Sequence, residues 1–91
     1  MKATVIDAKD NVAVVLGAVQ KGDTITFRGA GIEGSITAQS DIPPYHKIAR
    51  CDIPAGAPVI KYGEHIGLAA CDIPAGTHVH VHNVLNNREA L

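Results

Sequence analysis

Aromatic side chains are scarce in this chain, which has no tryptophan, one phenylalanine and two tyrosines. So few rings leave no stacking platform for single-stranded nucleic acid. An excess of positive charge is lacking too. Eight Lys and Arg face nine Asp and Glu, for a net charge of −1, so there is no basic footprint for a phosphate backbone. Long hydrophobic runs are also missing. The apolar run Val12–Val19 is far too short to span a bilayer. With Asp7, Lys9 and Asp10 ahead of it and no small-residue cleavage site, it does not fit a signal peptide either. No nucleic acid and no membrane are expected as partners, and the cytoplasm is the expected compartment.

Cysteine is limited to Cys51 and Cys71, twenty residues apart. In a reducing compartment a structural disulfide is not expected. Without a second close pair, the two make no zinc knuckle. Small buried hydrophobes at equivalent positions of a repeat are the expected role.

What is present favours strands. Hydrophobic residues make up 46% of the chain and charged ones 19%, a globular composition. Ninety-one residues give one small domain, 1–91, which hides only about two-thirds of its unfolded surface and gains from a partner. Lys2–Ile6 alternates and is β-branched, and Val12–Leu16 is rich enough in valine to read as a strand rather than a short helix. Thr24–Phe27 alternates with Ile25 and Phe27 inward, and a brief strand is expected at Ile36–Ala38. Gly29, Gly31 and Gly34 have neither the long strand before nor the helix after that a phosphate cradle needs, so a mobile loop or bulged hairpin is expected there.

From Ser40 on, a repeat dominates. Asp-Ile-Pro occurs at 41–43, 52–54 and 72–74, and Cys-Asp-Ile-Pro-Ala-Gly at 51–56 recurs letter for letter at 71–76. Each copy reads as a tight Pro/Gly turn into a short strand, at His46–Arg50, Pro58–Tyr62 and His78–His82. Lys21–Phe27 is a fainter echo, and Gly63 is expected to turn one strand into the next. The sum is a compact all-β domain of short strands with pseudo-repeated turns.

The last strand carries the chemistry. His78, His80 and His82 alternate with Val79 and Val81, so the valines are expected in the core and the histidines on the other face, with Asn83 closing the strand. In an extended strand, neighbouring histidines stand about 7 Å apart and the outer two about 13 Å. Two of them can reach one metal ion, and a third ligand would come from His46, His65, Glu64 or another chain. A solvated polar face is the alternative. Lys47 and Lys61 also sit in short strands among apolar neighbours, where a lysine serves as base or anion anchor, or simply as a surface cation.

Taken together, Asp10-Asn-Val-Ala-Val14, His46-Lys-Ile-Ala49, Ile60-Lys-Tyr-Gly-Glu-His-Ile-Gly67 and Gly76-Thr-His-Val-His-Val-His-Asn83 resemble the N-terminal small domain of the altronate and galactarate dehydratases. That domain is of the SAF type, a β-clip fold, and the resemblance runs from Asp7 to Val84. It implies a lyase that removes water from a sugar acid by β-elimination, commonly with a divalent metal such as iron. The family's enzymes carry a much larger catalytic region after this domain. A chain that stops at Leu91 therefore resembles the small subunit of a two-chain enzyme, inactive alone, like that of the sulfolactate sulfo-lyases. On this resemblance His80, His82, Asn83, Lys47, His46 and Lys61 are the expected catalytic residues, with His80 and His82 as metal ligands. They would close one wall of a site shared with a large subunit, while His78 lies outside the trusted part of the motif. A sulfo-lyase subunit, or a SAF module that only binds, is the alternative. A homo-oligomer is also open to so small a domain.

Overall fold

A computed structural model describes residues 1–86. Among these residues no helix forms, and so none is long and apolar enough to cross a membrane. Nine strands follow in order: β1 Lys2–Thr4, β2 Val12–Val15, β3 Thr24–Gly29, β4 Ile32–Thr37, β5 Lys47–Ala49, β6 Pro58–Lys61, β7 Glu64–Ala69, β8 His78–Val79 and β9 Val84–Leu85. The all-β expectation holds. The strands form a six-stranded sheet in the order β4-β3-β1-β2-β5-β8 and a three-stranded sheet, β6-β7-β9. β1 pairs parallel to β3 and antiparallel to β2.

Alternation explains the strands that were expected. In β3, Ile25 and Phe27 are buried while Thr24, Thr26 and Arg28 are exposed. The glycine-rich stretch after it is a hairpin rather than a loose loop. Ala30 and Gly31 take φ of 52° and 78° at its tip, the pair of left-handed residues that a two-residue turn of type I′ requires. β4 accordingly starts at Ile32, earlier than expected, and Phe27 lies across from Gly34, with its ring filling the space where a Cβ would stand.

The repeat proves to have four members rather than three. Val19-Gln20-Lys21-Gly22, Ile42-Pro43-Pro44-Tyr45, Ile53-Pro54-Ala55-Gly56 and Ile73-Pro74-Ala75-Gly76 each end on a left-handed residue, with φ of 95°, 66°, 81° and 90°. In each, that last N–H donates to a backbone carbonyl in or just beyond a strand: Gly22 to Ala38, Tyr45 to Val15, Gly56 to Ala69 and Gly76 to Ala49, over 2.8–2.9 Å. The units also join in pairs. Val19 and Ile42 exchange two backbone hydrogen bonds, as do Ile53 and Ile73. Between the two identical copies the aspartates cross over. Asp52 accepts from the Ala75 N–H and Asp72 from the Ala55 N–H, each at 2.8 Å. Asp41 caps Lys21 in the same way at 2.8 Å.

This arrangement corrects the expectation for the cysteines. Cys51 and Cys71 are free and exposed. Each lies in the bend leading into a paired turn, and the isoleucine two residues on takes the buried place.

Buried side chains gather in two clusters on either side of the β2–β5 ladder. Ala13, Val15 and Ile48 point into one, with Ile25, Phe27 and Ile42. Val12 and Ala49 point into the other, with Ile53, Ile73 and Val79. Period two along β2 and β5 therefore feeds both clusters from the same strands. Asn11 ties the smaller sheet to β2. Its side chain donates to the Pro58 carbonyl at 2.9 Å and accepts from the Ile60 N–H at 2.8 Å. Buried Asp10 accepts from the N–H groups of Gly63, at 2.8 Å, and Asp7, at 3.1 Å.

Candidate functional site

The histidine segment departs most from the extended strand that alternation predicts. β8 pairs with β5 only through His78 opposite Ile48 and Val79 opposite Lys47. The chain then turns through His80–Asn83 and crosses to the other sheet, where Val84 pairs with Ala69 and Leu85 with Leu68. Asn83 makes the turn. Its Oδ1 accepts from the His80 N–H at 3.0 Å, its Nδ2 donates to the His78 carbonyl at 2.9 Å, and its own N–H donates to the His80 carbonyl at 3.2 Å. The strand expected over His78–His82 thus ends at Val79. Val79 is fully buried as expected, but Val81 is 50% exposed, because the turn removes it from the core face.

The same turn gathers rings that a strand would have spread. His78 and His82 have ring centroids 5.0 Å apart, not the expected spacing of the ends of a strand face. His46 arrives from the second turn unit, one residue before β5, and lies flat against His80 at 4.0 Å between centroids and 18° between planes. It also lies 5.1 Å from the ring of His78, and the His46 Nδ1 and His78 Nε2 are 2.9 Å apart, so one ring donates a hydrogen bond to the other. The backbone of His78 is held in turn by its N–H donating to Ser40 Oγ at 3.1 Å.

The electrostatics follow from this crowding. The pKa of His78 is pushed down to about 4, first by burial and then by the charge that His82, His46, His80 and Lys47 bring to bear. His78 is therefore a neutral imidazole at neutral pH, with a nitrogen lone pair to offer. Lys47, expected at the site, is buried in β5 close enough to His78 to shift it.

Of the expected site residues, His46, His80, His82 and Lys47 are brought together here, and Asn83 supports them through the turn. Lys61 ends β6 in the other sheet, with its ammonium 4.8 Å from the ring centroid of Tyr62. Glu64 and His65 are exposed on β7 in that sheet. His78, set aside by the motif reading, sits at the centre of the group. Its place in the alternating row was the available signal. Ser40 and Asp10 carried no signal of the kind that marks a reactive residue.

Imidazole donors suit a divalent transition metal such as iron or zinc. His46, His78 and His80 each offer a ring nitrogen, all within 4.8 Å of one another, so the residues present fit such an ion.

Similarity to known proteins agrees with the motif reading. The chain is 42% identical to altronate dehydratase of Escherichia coli strain K12 over 86 residues, which cover 94% of the chain but 17% of that protein. It is 40% identical to altronate dehydratase of Bacillus subtilis strain 168 over 82 residues, covering 90% of the chain and 16% of that protein. The chain thus spans about a sixth of the length of these relatives. A third relative is much shorter. The (2R)-sulfolactate sulfo-lyase subunit alpha of Paracoccus pantotrophus is 47% identical over 53 residues, 58% of the chain and 79% of that subunit. Residues 1–87 match the altronate/galactarate dehydratase SAF domain, and with two altronate dehydratases aligned over nine-tenths of its length the chain belongs to that family.

Proposed function

We propose that this chain forms one wall of the active site of a sugar-acid hydro-lyase of the altronate/galactarate type, the rest of which comes from a large catalytic chain. The observation that carries this reading is the gathering of four imidazoles and a buried lysine at one edge of a dehydratase-family domain. The site lies at one end of the six-stranded sheet, where β5 and β8 meet. It leaves exposed Val81 and His82 to face a partner.

The residues divide the work by their chemistry. The Lys47 ammonium draws the substrate carboxylate toward the edge. A neutral imidazole of the group takes the proton α to that carboxylate. An imidazole carrying a proton returns one to the departing hydroxyl, which leaves as water, and the enol left behind tautomerises to a 2-keto acid. A divalent metal, iron by the family resemblance, held by imidazoles of this group and by the large chain, would supply Lewis-acid stabilisation of the charge that develops.

Co-expression with a large dehydratase chain, followed by a sugar-acid dehydration assay with added iron, tests the reading. A stable complex is expected, with His80→Ala and His82→Ala each lowering activity by about a hundredfold or more. A complex equally active without those histidines would sink it. The match to a sulfo-lyase subunit supports a second reading, in which sulfite rather than water departs. Sulfite release from sulfolactate by the same complex, with no dehydration, would select it. If no large chain binds, a SAF module that only binds becomes the better account.

A further inference from the structure

The reading above leaves open whether the metal needs the large chain. We propose that this chain alone binds one divalent transition-metal ion on the imidazoles of His46, His78 and His80, with His82 outside the ligand set. The three ligands come from two segments 32 residues apart, brought together by the second turn unit and by the Asn83 turn. Their donor nitrogens already lie within 4.8 Å of one another, and His46 Nδ1 and His78 Nε2 stand 2.9 Å apart around a shared proton. At metal–nitrogen bonds of about 2.1 Å, two ligands on one ion stand about 3–3.5 Å apart. The closest pair is therefore at bonding separation, and the widest must close by about 1.5 Å. Rotation of half-buried rings supplies that movement. It opens the flat stack of His46 on His80, and the shared proton moves to an outer ring nitrogen as the ion takes its place. Three nitrogens on one side leave further positions for a carboxylate or hydroxyl ligand, as in metal centres that do chemistry. His82 is exposed beyond the trio, against the ring of His78. This assignment differs from the pairing of His80 with His82 that the family resemblance implied.

Cobalt(II) titration of the full 91-residue chain tests the proposal, read by visible absorption and calorimetry without substrate or partner. One ion per chain is expected. His46→Ala and His78→Ala should weaken binding at least tenfold, while His82→Ala, His65→Ala and a Cys51→Ser/Cys71→Ser double variant should stay within threefold of the parent. Zinc-loaded chain examined by 15N spectra of the histidine rings identifies ligands without mutation, should a variant fail to fold, and His46, His78 and His80 are expected to shift. No saturable binding, dependence on the cysteines, or a ligand set that includes His82 in place of His46 would overturn it. The two readings fail separately. Loss of metal binding here leaves the lyase reading to its activity assay, and an inactive complex leaves this site standing.

Discussion

A single amide at Asn83 decides what the histidine edge is. Were the strand to continue through His82, the outer rings would stand too far apart to share anything. Asn83 prevents that by satisfying the His80 N–H and the His78 carbonyl, both next to ligand candidates, while itself buried. Asn83→Ala leaves those backbone groups without partners in a partly dry place, at an expected cost of about 1–3 kcal/mol in urea unfolding. Asn83→Asp keeps one acceptor but sets a carboxylate oxygen against the His78 carbonyl, so it should be no better than alanine at neutral pH. An Asn83→Ala chain as stable as the parent, yet inactive in the complex, would mean that the amide meets substrate and is not a structural staple. The sequence marks Asn83 as a residue that favours turns. It does not say that the turn begins at His80, because that depends on where Val84 finds a strand to pair with. Alternation in a short window cannot anticipate a change of sheet.

The turn units show what the element scale makes legible. Three Asp-Ile-Pro copies and the echo at Lys21 were visible because Pro and Gly are needed at fixed places for backbone reasons. The second unit obeys the same backbone geometry while breaking the residue rule, since Tyr45 holds a φ of 66° where the other three have glycine. An L side chain in that conformation costs about 1–2 kcal/mol, and glycine's greater freedom when unfolded offsets part of it, so Tyr45→Gly should raise stability by about 1 kcal/mol or less. The ring is also 72% exposed and adjoins His46, which fits a residue kept for contact rather than for folding. The glycines themselves differ in what surrounds them. At Gly56 nothing lies within 4 Å of an added Cβ, so Gly56→Ala should cost only the strain of its φ, about 1 kcal/mol. At Gly76 the Cβ would stand 2.2 Å from the Thr37 carbonyl oxygen, and Gly76→Ala should be distinctly worse. Thermal melts of the three variants check the order, and a Gly76→Ala chain no weaker than Gly56→Ala would contradict it.

For the whole molecule, crowding of the imidazoles ties stability to pH. An unfolded histidine titrates near its usual 6.5, whereas folded His78 titrates at about 4. Between those values the unfolded chain binds a proton that the folded chain refuses, so this contribution to stability is complete above pH 6.5 and is lost as pH falls toward 4. With chelator present to strip metal, urea midpoints at pH 7, 5.5 and 4 should fall less steeply in His78→Gln than in the parent. Identical slopes would show that His78 titrates normally. Alternation and the repeated Pro/Gly turns made the all-β class legible, and the motifs made the family legible. Which of the polar residues meet was not, since His46 and His78 are brought together only when β5 and β8 pair across a sheet.

The crossing of Asp52 and Asp72 between the two identical copies makes each stretch answer for the other. Because each aspartate caps its counterpart's turn, neither copy owns its own support. A replacement at Asp52 is felt at Ala75, and one at Asp72 is felt at Ala55, so damage done in one place is suffered in the other.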